Sequence, residues 1–239
     1  MDRDKALTPI AIALTFCSGA MDVASFTRLG GVFTSVMTGN IVLCGLSIAR
    51  GSVSLLLHTL TTFCGYVAGV AFATRMVLRP ADGPAGFTPR VRNALRVELV
   101  LLCGLAVGWE ISGARPADWA QFCLLACGAA AMGVQSAAVQ QMGLTSVSTT
   151  FLTGTLTGLV SSLVRPDRSR EGILRPGVLL GLLAGALLCG LLVAQLAMAV
   201  PVLFVGAIVV VLVLSSPDSN GSGALRWRPR LARPRNERP

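Results

Sequence analysis

One carboxylate, Asp22, lies at the end of an apolar stretch of the sequence. The sixteen residues before it, Ala6 to Met21, carry no charge, and Arg28 follows six positions later. A charged side chain inside a bilayer is costly, and it usually faces a partner or a water-filled cavity. Two interpretations of Asp22 follow: a proton or cation site, or a residue near the membrane surface.

Hydroxyl and amide side chains recur near Asp22 and again in the second half of the chain. Thr34 and Thr38 lie one helical turn apart, and Thr149 and Thr153 repeat that spacing. Such hydroxyls line a polar path, or they bond to the carbonyl four residues earlier and bend the helix. We expect one shared polar cavity, the pathway of a substrate or ion, lined by Asp22, Thr34, Thr38, Asn40, Gln135, Thr149 and Thr153.

Two glycine pairs predict close helix packing. Gly65 and Gly69 form one G-x-x-x-G pattern, and Gly181 and Gly185 form the other. Small residues let helix backbones approach each other in lipid. These pairs are suited to joining two halves of one chain or two copies in a homo-oligomer.

Other reactive groups are sparse. His58 is the only histidine, and Cys123 and Cys127 share a helix face but have few partners for a metal site. The sequence has no phosphate-binding glycine loop, no paired His-Glu metal motif and no G-x-S-x-G pattern. We therefore predict no enzyme activity, no metal site and no cofactor. Glu98 and Glu110 are expected at the membrane interface, close in sequence to Arg96 and Arg115.

The composition indicates the elements that must position these residues. Hydrophobic residues make up 53% of the 239 residues, charged residues 13%, and mean hydropathy is +0.71. The apolar residues fall into runs of about 17–25, the length that spans a bilayer as a helix. The fold class predicted is an all-α integral membrane protein of seven or eight helices. The predicted segments are Ala6–Phe26, Gly31–Ala49, Val53–Leu78, Val97–Gly113, Trp119–Ala138, Leu144–Val164, Gly177–Leu196 and Val200–Leu214.

The chain also repeats itself. Residues 20–25 match residues 131–136, Thr34 and Thr38 match Thr149 and Thr153, and residues 65–69 match residues 181–185. The three blocks occur in order at nearly one spacing, which indicates an internal duplication. The predicted organisation is a short start (1–5), two pseudo-twofold halves (6–113 and 114–214) and a disordered Arg-rich tail (215–239).

The same residues carry a family resemblance. The stretches Gly19–Asp22, Phe33–Asn40 and Thr149–Thr155 resemble the YoaK-like family of bacterial inner-membrane proteins, whose function is unknown. The resemblance extends from about Ala6 to Leu214. It implies a multi-pass protein of the bacterial inner membrane, and it supplies no reaction and no catalytic residue.

The basic residues bear on topology. The net charge of +9 comes from side chains in the connections and the tail, which is typical of a membrane protein and not of nucleic-acid binding. Segment length favours eight crossings with parallel repeats. Charge favours seven crossings with inverted repeats, one segment between Val97 and Val164 not crossing fully. Both interpretations place the tail in the cytoplasm, where its arginines are suited to anionic lipid.

Two functions remain open at this point. Duplicated halves with polar, glycine-containing helices are the recurring plan of secondary transporters, so we expect transport of a small solute or ion. The alternative is a membrane-embedded scaffold or regulatory protein without transport activity. The lipid bilayer is the one partner that both functions require.

Overall fold

The computed structural model describes residues 3–77, 87–143, 152–164 and 171–215. These residues form eight α-helices and one short 3-10 helix, with no strand among them, so the all-α fold class is confirmed. The helices are α1 (Arg3–Arg28), α2 (Met37–Ala49), α3 (Val53–Val77), α4 (Pro89–Ile111), α5 (Asp118–Gln141), α6 (Leu152–Val164), α7 (Glu171–Gln195) and α8 (Val200–Leu214).

Several helices begin elsewhere than the hydrophobic pattern predicts, and the cause is clear for α4 and α2. α4 begins at Pro89, eight residues before Val97, because the Thr88 hydroxyl accepts from the Val91 N–H (3.2 Å) and Pro89 suits a first helical position. α2 begins at Met37 and not at Gly31, because Gly30 and Gly31 have φ angles of 99° and 75°. Those angles interrupt a helix, so the chain turns here.

Hydrogen bonds between helix ends define one side of the bundle, which we call the Arg28 side. Arg28, the last residue of α1, donates to the Val193 carbonyl near the end of α7 (3.1 Å). Its own carbonyl accepts from Gln121 in the first turn of α5 (2.9 Å). Gln121 in turn bonds to His58, near the start of α3 (2.9 Å). The ends of α1 and α7 and the starts of α3 and α5 therefore lie together.

α4 and α8 connect this side to the opposite one, which we call the Arg92 side. Trp109, near the end of α4, donates to the Ala197 carbonyl just before α8 (2.9 Å). Arg92, near the start of α4, bonds to the carbonyl of Ser215 at the end of α8. The two helices are therefore antiparallel, and the six long helices α1, α3, α4, α5, α7 and α8 run between the two sides.

Five of these helices are long and apolar enough to cross a membrane. They are Leu7–Arg28, Val53–Met76, Asp118–Gln141, Pro176–Gln195 and Ala197–Leu214. The sixth, α4, differs from them in its number of charged side chains, Arg90, Arg92, Arg96, Glu98 and Glu110. It has 23 residues, about 35 Å of helix, and lies between α5 and α8. It is therefore long enough to run between the two sides.

Among the apolar segments of the first half, α2 is the one that does not run from one side of the bundle to the other. Thr34 and Ser35, just before it, bond to Asp22, which lies six residues, about 9 Å, before the end of α1. The chain therefore turns back into the bundle after Arg28. α2 has 13 residues, about 20 Å, and ends next to the start of α3 on the Arg28 side. It enters and leaves on one side, whereas the pattern of Gly31–Ala49 predicted a crossing.

α6 has the same length as α2, 13 residues, and packs on α7 as α2 packs on α3. α5 ends on the Arg92 side, and α7 begins there. α6 therefore connects two helix ends on the same side. Two short helices, α2 and α6, therefore take the place of the seventh and eighth crossings that segment length alone predicts.

Glycines bring α3 against α5 and α1 against α7 in matching ways. A methyl group at Gly69 would lie 2.1 Å from the Ala130 carbonyl oxygen, and one at Gly185 would lie 2.0 Å from that of Phe16. A methyl group at Gly133 would lie 2.3 Å from the carbonyl oxygen of Tyr66. In the other pair, a methyl group at Gly19 would lie 2.2 Å from the carbonyl oxygen of Leu182. Gly65 and Gly181 make the third matched pair, against Ala126 and Ile12.

These contacts fix the relative directions of the helices. Residue numbers rise together across α3 and α5 and across α1 and α7, so both pairs are parallel. α1 and α5 are antiparallel, because Gln135 meets Leu14 and Ser18 whereas Gly128 meets Met21. The first helices of the two predicted halves therefore point in opposite directions.

The contacts also give a register that differs from the sequence match by three residues. Ile12, Phe16 and Gly19 make the contacts of Ala126, Ala130 and Gly133, a spacing of 114 and not the 111 at which the sequence blocks align. Asp22 then corresponds to Ser136, whereas the sequence match pairs it with Gly133. A slip of three residues is nearly one helical turn, so it leaves the same helix face inward and the apolar pattern almost unchanged.

Candidate functional site

Asp22 holds the segment that leads into α2. Its Oδ1 accepts from the Thr34 N–H (2.9 Å), the Thr34 hydroxyl (3.2 Å) and the Ser35 N–H (2.8 Å). Its Oδ2 accepts from the Ser35 hydroxyl (2.5 Å). The side chain is 7% exposed. Asp22 is therefore a buried carboxylate with four donors, and it does not lie at the aqueous surface.

Asn40, in the first turn of α2, holds the same segment from the other direction. Its Oδ1 accepts from the Phe33 N–H (2.9 Å), and its Nδ2 donates to the Phe33 carbonyl (2.5 Å). Asp22 and Asn40 thus bond to the two ends of one peptide group, the Phe33 C=O and the Thr34 N–H. Ser25 adds a bond to the carbonyl of Val32 (2.9 Å).

The electrostatics of this arrangement suit a half-helix that begins inside a membrane. The amino-terminal end of a helix carries a partial positive charge and unpaired N–H groups. Asp22 brings a carboxylate to the segment just before that end, and all four of its partners are donors. Hydrogen bonds to an ionised group are the stronger kind. The cluster therefore satisfies backbone groups that hydrocarbon would leave unpaired.

Gln135 reaches α1 from α5. Its Nε2 donates to the Leu14 carbonyl (3.1 Å) and to the Ser18 hydroxyl (2.9 Å), and its side chain is 4% exposed. Its Oε1 has no hydrogen-bond partner among the described residues. Ser18 precedes Asp22 by one helical turn, so Gln135 lies beside the Asp22 cluster, toward the Arg92 side, without a bond to it.

The threonines predicted for the pathway divide between these groups. Thr34 is fully buried and bonds to Asp22, whereas Thr38 is exposed on α2 and faces away from the cluster. Thr149 lies outside the described residues. Thr153 lies in α6, but its side chain is not described. The structure thus brings together Asp22, Thr34 and Asn40, with Gln135 nearby.

Glu98 is the ionisable residue whose place the sequence did not predict. It was expected at the interface beside Arg96, and that expectation is wrong. Glu98 is 0% exposed, and neither carboxyl oxygen has a partner among the described residues. Arg96 bonds to Asn93 (3.0 Å). The Thr88–Pro89 start signal was available, and it would have placed Glu98 more than two turns inside α4.

The structure also shows the surroundings of His58 and Cys127. His58 is buried on the Arg28 side, where its ring stacks on Phe122 with centroids 4.4 Å apart. Its Nδ1 lies 2.7 Å from the Ser54 carbonyl oxygen, so both ring nitrogens have protein partners. Cys127 donates to the Leu101 carbonyl (3.2 Å). Within the described ranges, no three His, Cys, Asp or Glu side chains lie together as a metal site would require.

The fold and this site define a multi-pass α-helical membrane protein with a buried polar cluster at the start of a half-helix. The family model described as "Protein of unknown function (DUF1275)" matches residues 10–215, so the chain belongs to that family. The chain is 33% identical over 150 residues to UPF0700 transmembrane protein YoaK of Bacillus subtilis (strain 168). That alignment spans 63% of this chain and 64% of the relative, somewhat under two thirds of its length. No solved structure matches the chain.

Proposed function

We propose that this protein is a transporter or channel for a small solute or ion. The observation that carries the proposal is the half-helix α2, whose amino-terminal end lies within the bundle beside Asp22. Non-helical backbone at membrane depth is tolerated where it is buried in protein or lines a water-filled cavity. Secondary transporters commonly build their substrate sites from such discontinuous helices.

The matched contacts of the two halves support the proposal. The α1–α7 and α3–α5 pairs repeat the same glycine contacts, α2 and α6 have equal length, and α1 opposes α5 in direction. We interpret this arrangement as an inverted repeat with a pseudo-twofold axis in the membrane plane. In proteins of this plan, alternating access comes from rocking of one repeat against the other around a central site.

The distribution of basic residues supports one orientation. Of the 20 basic side chains, all but Arg28, Arg50 and Arg115 belong to the Arg92 side or to segments that leave helix ends there. Connections rich in Lys and Arg are retained in the cytoplasm. We propose six crossings in the bacterial inner membrane, with the Arg92 side and the tail in the cytoplasm. This topology removes the conflict between segment length and charge.

The competing function is a membrane-embedded scaffold or regulator, and one observation favours it. All the side-chain hydrogen bonds of Asp22 come from Thr34 and Ser35, and those of the Asn40 side chain go to residues of its own segment. Both side chains would serve as structural anchors in a protein that transports nothing.

A flux assay in proteoliposomes separates the two functions. The probes are Na⁺, K⁺, H⁺ and Cl⁻, followed with ion-sensitive dyes, and glycerol and urea, followed by light scattering. We expect the protein to accelerate the movement of at least one probe relative to empty vesicles. Asp22→Asn should abolish that flux, whereas Glu110→Gln, the same chemical change at an exposed carboxyl, should not. No flux of any probe would favour the scaffold.

A further inference from the structure

We infer that Glu98 is a proton-binding site in the interior of the membrane. It lies nine residues, about 14 Å, beyond the start of α4, so it sits near the middle of that helix. The side chain is 0% exposed, and both carboxyl oxygens lack a partner among the described residues. This property distinguishes Glu98 from Asp22, whose oxygens accept four hydrogen bonds.

The surroundings of Glu98 provide little compensation for a charge. On its own helix it is flanked one turn away by Ala94, Leu95 and Leu102, all fully buried and apolar. α8, which packs on α4, contains no ionisable residue between Val200 and Leu214. Of the cations on α4, Arg96 bonds to Asn93 (3.0 Å), and Arg92 bonds to the Ser215 carbonyl and lies over the ring of Phe87.

The other helices contribute thiols and distant charges. From α5, the Cys127 thiol donates to the Leu101 carbonyl of α4 (3.2 Å), and Asp118 lies at the opening turn on the Arg28 side. From α1, the Cys17 thiol lies within electrostatic reach of both Glu98 and Asp22. On α3, His58 and Arg75 lie near opposite ends of the helix. No basic side chain on these helices therefore bonds to Glu98 in the described part of the chain.

These surroundings favour a proton over a metal ion as the ligand of Glu98. An ionised carboxylate without a partner is strongly disfavoured in an apolar interior, and taking up a proton removes the charge. A metal ion would need several oxygen ligands, and the described residues contain no cluster of acidic side chains that provides them. A proton is the ligand that one carboxyl group can bind alone.

The position of Glu98 suggests its role. Buried carboxyl groups in membrane helices are commonly parts of proton relays. If the proposed transport function is correct, Glu98 carries the proton that couples transport to the pH gradient. That role rests on the proposed function, whereas proton binding by Glu98 does not.

Infrared spectroscopy of the full-length protein in lipid bilayers tests this inference without a transported substrate. A protonated carboxyl group absorbs separately from a carboxylate. We expect a protonated-carboxyl band at neutral pH that Glu98→Gln removes and Glu110→Gln leaves unchanged. The band should shift in D₂O, because a site that binds and releases protons must exchange them with water. If Glu98→Gln does not insert, Glu98→Asp provides the second comparison, since it keeps the carboxyl group and moves the band.

Two results would overturn the inference. If Glu98→Gln removes only carboxylate absorption, Glu98 is ionised and holds no proton. If the protonated band is present but never shifts in D₂O, the proton is sealed in, and Glu98 is not a site that binds and releases protons. A failed flux assay affects neither reading of the band, so failure of the transport proposal and failure of this inference can be told apart.

Discussion

At the scale of residues, two buried carboxyl groups with the same chemistry have opposite surroundings. Asp22 accepts four hydrogen bonds from Thr34 and Ser35, whereas Glu98 accepts none from the described residues. The difference arises because the segment before α2 turns back onto Asp22, while Glu98 faces apolar side chains between packed helices. Asp22 therefore has a clear structural role, and Glu98 does not.

Substitution of Asp22 should show how much the cluster stabilises the fold. Asp22→Ala removes every acceptor and leaves buried donors unpaired, so we expect a loss of about 3 kcal/mol in the free energy of unfolding. Asp22→Asn keeps one oxygen for the N–H groups of Thr34 and Ser35, and its cost should be about 1 kcal/mol. Denaturant unfolding in detergent measures both changes. Equal effects of the two variants would contradict the assigned hydrogen bonds.

At the scale of elements, α2 decides the topology of the first half. Its 13 residues are apolar, and on hydropathy alone they resemble part of a crossing segment. The bonds from Asp22 to Thr34 and Ser35 make it a half-helix that returns to the Arg28 side. Its outer face remains apolar, with Ile41, Val42 and Ile48 exposed toward the lipid.

Cysteine labelling tests whether α2 returns to the Arg28 side. Thr27 precedes the segment, and Arg50 follows α2; both are exposed. We expect Thr27→Cys and Arg50→Cys to react with a membrane-impermeant thiol reagent from the same side of the membrane. The unsubstituted protein is the control, because its exposed cysteines, Cys64, Cys103 and Cys123, set the background labelling. Labelling of the two positions from opposite sides would show that α2 crosses.

Glycine contacts provide a second test at this scale. A methyl group at Gly69 or Gly185 would meet a backbone oxygen at 2.1 Å or 2.0 Å, so the helices must separate. We expect Gly69→Ala and Gly185→Ala each to destabilise the protein by about 2 kcal/mol. Gly104, on α4, has open space around it, so Gly104→Ala should be neutral or slightly stabilising.

Thermal unfolding in detergent measures these three variants side by side. The two tight positions lie in different halves and make matched contacts, so their losses should be similar. If Gly69→Ala costs much and Gly185→Ala costs nothing, the two helix pairs are not equivalent, and the inverted-repeat proposal weakens.

At the scale of the whole molecule, charge and geometry both support the orientation that we propose. The Arg92 side collects most of the basic side chains, and it also collects the ends of α3, α5 and α8. With an odd number of crossings, some of these basic side chains would lie on the opposite side of the membrane from the others. The six long helices place them on one side.

Reporter fusions test the orientation. A reporter that is active only in the cytoplasm should be active after Ser215, and one that is active only in the periplasm should be active between Gly113 and Ala117, on the Arg28 side. Arg28, Arg50 and Arg115 are few enough to be tolerated outside. The reverse pattern would invert the proposed topology. Equal activity of one reporter at both sites would mean an even number of crossings between them and would exclude the three that we propose, α5, α7 and α8.

The sequence by itself determined the class of protein and most of its helices. Long apolar runs require helices in a bilayer, because every backbone N–H and C=O must be paired within the segment. The family resemblance carried by Gly19–Asp22, Phe33–Asn40 and Thr149–Thr155 agreed with the family match over residues 10–215. The G-x-x-x-G spacing marked glycines that lie at close contacts, since helical periodicity alone places Gly65 and Gly69 on one face.

Only the tertiary structure decided which apolar helices run between the two sides and which polar groups find partners. Hydropathy is the same for a short crossing and for a half-helix, so α2 was distinguished only by contacts between Asp22 and the segment before it. The environment of Glu98 depended in the same way on how α5 and α8 pack against α4, and α8 comes from a distant part of the chain. The local sequence pattern indicates which residues of a segment are suited to burial. Which partner a buried residue meets across the bundle depends on how all the segments pack.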